Sequence, residues 1–185
     1  MFKAKKYIIF GILSLCFAAC ENDMSKVKQI ELKQKEEIEI TKGAEIIYSD
    51  SAKVKAKLTT PILYNHKTAK NPFYEMPKGI VVIFYDDNLK QTSKVTSEYA
   101  IRKENEKIIE LKKNVVATNA EGKTFKSEEL IWDENLKRFY SNRVVTITTD
   151  KATISGTSFW ATEDFSYYEI KQGAGPIQFN QNFSQ

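Results

Sequence analysis

One histidine, two cysteines and the adjacent carboxylates Asp86-Asp87 and Glu128-Glu129 stand out in this sequence as groups suited to acid–base, nucleophilic or metal chemistry. His66 is the single histidine, so a two-histidine metal site within the chain is excluded. A serine nucleophile with a histidine base would have to use it. Its neighbours Tyr64, Asn65 and Lys67 suggest no such arrangement, and a histidine satisfied locally or by water is expected. Asp86-Asp87 and Glu128-Glu129 are sequence neighbours, and neighbours on a strand point to opposite faces. Asp86 and Asp87 also precede Asn88 in a turn signal, where aspartate caps its own backbone. Glycan cleavage needs two carboxylates facing each other across a cleft, and neither pair announces that geometry. Gly173 and Gly175 in KQGAGPI lack the spacing and the following lysine of a phosphate loop. The expectation is a non-enzyme without cofactor or metal.

The cysteines read differently. Cys16 lies inside a 12-residue apolar run, Tyr7 to Ala18, preceded by Lys3, Lys5 and Lys6. The run is short of the roughly 20 residues that span a membrane. A basic start, a short apolar core and small residues before a cut are the marks of a secretory signal. Phe17-Ala18-Ala19-Cys20 further resembles a bacterial lipobox, which predicts cleavage before Cys20 and lipid on its thiol. Residues 1–19 are then a lipoprotein signal, and the membrane is reached through the N-terminal lipid. Their loss removes three lysines and no acid, bringing the formal charge from +4 to +1. That is no basis for a nucleic-acid binder, and Lys112, Lys113 and Lys126 read as a solvated face.

The rest of the chain, with 42% hydrophobic and 28% charged residues, has room for one domain. Residues 20–43 form the lipidated N-terminus and a charged tether, and residues 44–185 the folded domain. From Ile46 the pattern alternates, as half-buried strands do. GIVVIFYDDN sets Ile80, Val82 and Phe84 on one face before a turn; IIELKKNVVATNAEG and RVVTITTDKATISG repeat the theme, with turns at Glu121-Gly122 and Asp150. The stretch from Pro61 to Gly79, which also holds Pro72 and Pro77, reads as loop or edge. The fold class is all-β.

A shift of 30 residues lays Thr96–Thr118 over Lys126–Thr148 with eight identities in 23 positions, where chance gives one or two. Ser97-Glu98 meets Ser127-Glu128, Glu104-Asn105 meets Glu134-Asn135, and Lys107 meets Lys137. Val95 lies over Phe125 and Ile109 over Phe139. Each unit holds two strands around a Glu-Asn turn, and stacked copies share a core that one hairpin cannot make alone. An elongated, half-open antiparallel jelly roll is predicted. A compact closed barrel is the alternative. The 11 Phe, 9 Tyr and 2 Trp are on composition alone more simply core than ligand-lining.

The segments MPKGIVVIFYDDN, VTSEYAI, NVVATNAEG, SEELIWDENLKRFYSNRVVTI and ISGTSF, over residues 44–170, resemble the periplasmic LptC family of lipopolysaccharide export, and most of all its lipoprotein members from Bacteroidetes. The matching positions are Tyr85-Asp86, Ser127–Asp133 with Glu129 inserted, Tyr140-Ser141 and Ile154–Gly156. The resemblance implies an OstA/LptA-like slit that takes lipopolysaccharide from an inner-membrane ABC transporter complex to a periplasmic bridge protein of the same fold. It also implies a place on the periplasmic side of the inner membrane. A transmembrane helix known in other members is replaced here by the lipobox. Moving an acyl chain into water costs about 0.8 kcal/mol per methylene, or about 10 kcal/mol for twelve carbons, so transit needs an apolar path. On that implication the alternating apolar residues become lipid-groove candidates: Ile80, Val82, Phe84, Val95, Tyr99, Ile109, Leu111, Val115, Leu130, Trp132, Val145, Ile147, Ile154 and Phe159. The strands near Ile46-Ile47 and Tyr168–Phe179 are the expected joining edges. The competing readings are a structural or adhesive envelope lipoprotein with a filled core, and an enzyme acting on envelope glycans.

Overall fold

The computed structural model describes residues 38–171, and all of its regular structure is antiparallel strand. Twelve strands follow in chain order: β1 (Ile38–Asp50), β2 (Lys53–His66), β3 (Phe73–Met76), β4 (Ile80–Tyr85), β5 (Gln91–Ser97), β6 (Tyr99–Lys103), β7 (Ile108–Asn119), β8 (Thr124–Asp133), β9 (Arg138–Ser141), β10 (Val145–Thr148), β11 (Thr153–Thr162) and β12 (Tyr168–Lys171). They form one hydrogen-bonded sheet folded on itself, a β-jelly roll.

The register explains the folding. The residues Ala56–Thr59 of β2 pair with β4, whereas Tyr64–His66 pair with β3. Likewise β7 pairs with β5 through Val116–Asn119 and with β6 through Ile108–Lys112. The strand β8 pairs with β10 and then β9, and β11 does the same. With β1, which follows β2 along its length, five strands therefore run through both halves of the fold. One half contains β4, β5 and β10, the other β3, β6 and β9. The crossing strands turn a common corner at Gly43, Pro61, Lys113-Asn114, Glu128-Glu129 and Ser158. The φ angles of Gly43, Lys113, Asn114 and Ser158 are all positive there, as sharp local bends require.

At a corner the ladder breaks and carbonyls lose partners, so small hydroxyl side chains replace them. The Thr60 hydroxyl donates to the Gly79 carbonyl (2.7 Å), that of Ser97 to Tyr99 (2.9 Å) and that of Ser127 to Val144 (2.9 Å). Ser97 and Ser127 are equivalent positions of the repeat. Its Glu-Asn turns are equivalent too: Lys107 and Lys137 both close them with positive φ, and the Glu134 amide donates to the Lys107 carbonyl.

Two strand boundaries differ from expectation. β1 begins at Ile38, inside the charged stretch assigned to the tether, because β2 continues past Thr60 and offers a partner to Ile38–Lys42. The segment from Pro61 is not simply loop or edge: Pro61 lies within β2, opposite Gly43 in a gap of the register where no ladder bond is lost, and β3 follows in the same segment. Signal, lipobox and Cys20 fall outside the described residues. Among the described residues no helix is long and apolar enough to cross a membrane.

Gly156 shows what the final strand requires. A Cβ at this position would stand 2.2 Å from the Lys171 carbonyl oxygen, so only glycine lets β12 lie against β11. The variant Gly156→Ala is expected to keep the rest of the sheet and release the end of β12. Faster amide exchange confined to residues 168–171 would show this; unchanged protection there would contradict it.

Candidate functional site

The inward faces of the two halves make one apolar surface. From the first half come Leu58, Ile80, Val82, Phe84, Val95, Val115, Ala117, Phe125, Val145 and Ile147, and from the second Met76, Ala100, Ile109, Leu111, Leu130, Trp132, Phe139, Phe159 and Ala161, all buried. Alternation along each strand puts these side chains on one face. Of the groove candidates, all but two are in this buried set. Ile154 sits opposite Ile147 and is half-buried at the β10–β11 end. Tyr99 lies on the outer face, opposite Lys112; its hydroxyl donates to Glu75 (2.9 Å) and Lys113 sits over its ring. The alternation that places Val95 and Ser97 inward is broken by Glu98 between β5 and β6, so Ala100 rather than Tyr99 faces inward.

Aromatic rings fill the space between the halves. Trp132 meets Phe84 edge-on at 4.8 Å and Tyr48 at 5.6 Å, and Phe139 meets Phe84 at 5.6 Å. Phe125 meets Phe159 at 5.8 Å. Phe125 and Phe139 did not enter the candidate set, although the repeat aligns them with Val95 and Ile109, which did. Phe165 carried no sequence signal at all: it stands in the polar run TEDFSY, yet it is fully buried against Phe139 and Phe125, both at 4.9 Å.

Opposite the corner, the far ends of the two halves face each other across a mouth. The loop from β11 to β12 spans it. The Ser93 hydroxyl of one half donates to the Glu163 carbonyl (2.6 Å), the Asn119 amide donates to the Phe165 carbonyl (3.1 Å), and the Trp132 indole N–H of the other half donates to the Glu163 carboxyl (2.9 Å). Further along, Lys137 pairs with Asp50. Beside the loop lies a concavity of about 370 Å³ lined by Tyr48, Phe84 and Thr162 and by the charged side chains of Asp50, Lys55, Asp86, Lys137, Glu163 and Asp164. A second buried polar contact stands at the end of the interior, where Arg102 grips Glu134 through two bonds of 2.8 and 3.2 Å.

Of the candidate reactive groups, His66, Asp86, Asp87 and Glu129 are engaged by neighbours. His66 is buried, stacked on Phe73 at 4.1 Å and 3.3 Å from Glu75. Asp86 accepts the amides of Asn88 and Lys90, while Asp87 pairs with Lys53 and Lys55, which hold its carboxyl down at about 2. Glu128 is exposed, and Glu129 approaches Lys112 at 3.9 Å. Among the described residues no cluster of three metal-ligating side chains occurs.

Residues 7–173 match the family model described as "Lipopolysaccharide-assembly, LptC-related". No curated protein matches the chain.

Burial pushes the Glu163 carboxyl above the ordinary range, against the Trp132 hydrogen bond that favours its ionised form. A carboxyl raised on folding adds stability below its unfolded pKa, and this contribution is lost as pH rises through the folded value. Glu163→Gln keeps the acceptor without the charge, so its melting temperature should equal or exceed wild type at pH 7 and fall below or match it at pH 4. Glu163→Leu strands the indole N–H and should cost about 1–3 kcal/mol at both pH values. Thermal melts of the three proteins at both pH values check this, and a Gln variant as unstable as Leu at pH 7 would refute it.

Proposed function

The chain belongs to the LptC-related lipopolysaccharide-assembly family, a family of transport components, and from that membership we propose that it is a conduit for lipid A acyl chains. The family's role is lipopolysaccharide transport, on the periplasmic side of the inner membrane. In this reading lipopolysaccharide arrives from an inner-membrane ABC transporter complex, lays its acyl chains between the two halves and keeps its sugars in water. It then passes to a periplasmic bridge protein of the same fold. One observation carries the reading: the inward surface is apolar through both halves and is closed at the mouth by a few polar contacts rather than by a continuous ladder. Such contacts exchange for water at small net cost, on the order of 0.5–1.5 kcal/mol each.

Among the described residues the sheet has two unpaired edges: β1 pairs on one side, with β2, and presents Ile38, Ile40 and Ile47 to solvent, and β12 pairs with β11. A long unpartnered edge is a template for strand addition, and edge-to-edge joining extends the apolar surface from one protein to the next. Lipid on Cys20 holds the domain to the membrane in this scheme.

The filled interior favours a second reading, a structural or adhesive lipoprotein whose aromatic rings are permanent core. Photo-crosslinkers at Phe84 and Leu111 separate the two. Adducts with lipopolysaccharide at both inward positions are expected of a conduit, while clean protein at both would leave the permanent core standing. Replacing Cys20 with Ser is expected to abolish labelling by a palmitate analogue and release the protein from membranes; a variant that remains membrane-bound would overturn the anchor.

A further inference from the structure

We propose that the β11–β12 loop is a removable stopper, and that Phe165 occupies a subsite for an acyl chain walled by Phe125, Phe139 and Phe159. The proposal rests on the conduit reading and names the place where the chain enters. Four observations support it.

First, the segment is built at odds with its surroundings. Glu163, Asp164, Ser166 and Tyr167 flank a single apolar residue, and that residue is drawn fully inside. Phe165 holds φ at 54°, the left-handed region that a bulky side chain avoids. Strain of this kind persists only where the surroundings enforce it. Second, the ring sits where the two halves meet: Phe125 belongs to one half, Phe139 and Phe159 to the other, with centroids at 4.9, 4.9 and 6.5 Å from Phe165. Its withdrawal leaves three phenyl faces around a space one ring wide, which suits a saturated chain.

Third, the attachments of the loop are of a kind that can be exchanged. Ser93 and Asn119 donate to its carbonyls and Trp132 to its carboxyl, and among the described residues no strand ladder runs across the mouth there. Its own internal turn, with the Phe165 amide donating to Thr162 and the Asp164 carboxylate accepting from Ser166, travels with it. Fourth, the concavity of about 370 Å³ lies against the same loop; its lining is largely charged, with Asp50, Lys55, Asp86, Lys137, Glu163 and Asp164, and Tyr48 and Phe84 connect it to the aromatic interior. The next four residues form β12, held to β11 at Thr157, Trp160 and Ala161 across a register shift.

The test uses the full chain with a photo-crosslinker at Leu111 and lipopolysaccharide in detergent micelles. Phe165→Ala removes the stopper, and Ser93→Ala only loosens it and spares the aromatic packing. Gly79→Ala is the control: its Cβ would meet the Ser97 carbonyl at 2.6 Å, straining the corner away from the mouth. Adduct yield at Leu111 should rise at least threefold in Phe165→Ala and measurably in Ser93→Ala, and stay at the wild-type level in Gly79→Ala. Amide exchange at residues 164–166 of the wild type should quicken on adding micelles. Equal adducts in wild type and both loop variants, with exchange unchanged, would overturn the stopper and leave the conduit intact. No adduct in any protein, at this position and at Phe84, would overturn the conduit and the stopper with it.

Discussion

Five strands that belong to two half-sheets at once are the constraint on which this fold depends. A strand passing a corner must keep its backbone paired on both sides of the bend, because each unpaired buried amide or carbonyl costs as much as a lost hydrogen bond. The chain meets this demand with bends at one level in every crossing strand and with hydroxyls that cap the interrupted carbonyls. The recurrence of Ser97 and Ser127, each before a glutamate, is the mark of that solution in the repeat. Because the corner is continuous, the two halves cannot slide past each other.

That geometry assigns unequal tasks to the two sides of the molecule. The corner is dense with backbone bonds and tolerates little: a Cβ at Gly79 would collide with backbone. The mouth is held by side chains, among them Lys137 on Asp50 and, through the β11–β12 loop, Ser93 and Trp132 on Glu163. Ion pairs between exposed side chains contribute little to stability. Behind these side chains lies the aromatic contact, which on the proposed conduit reading is the kind of contact an acyl chain can replace without exposing apolar surface to water.

Much of this was legible in the sequence, and what was hidden has a physical cause. Alternation exposes strands and repeats expose hairpins, so the all-β class, the Glu-Asn turns and the inward runs Ile80-Val82-Phe84 and Ile109-Leu111 follow directly. Alternation fails where a strand turns a corner. Thr60 and Leu63 are both buried although an odd number of positions separates them, and so are Ser127 and Leu130. The same loss of phase at Glu98 is what put Tyr99 on the wrong side. Phe165 was invisible for another reason: a turn residue in a polar segment acquires its burial from the tertiary structure alone.

The two free edges differ in a way that bears on direction. The strand β1 offers 13 residues and carries exposed isoleucines between the charged side chains Glu39, Lys42, Glu45 and Asp50. The strand β12 offers four residues within the described chain and is fed by the loop that closes the mouth. A partner pairing with β1 acts on a strand embedded along its whole length in the sheet, and its effect on the interior is slight. A partner pairing with β12 acts on the strand that Gly156 alone allows into place and that follows Phe165 by three residues. Engagement at this second edge is thus mechanically tied to the mouth in a way that engagement at the first is not. On the proposed conduit reading, this inequality marks the two edges as different ends for handover.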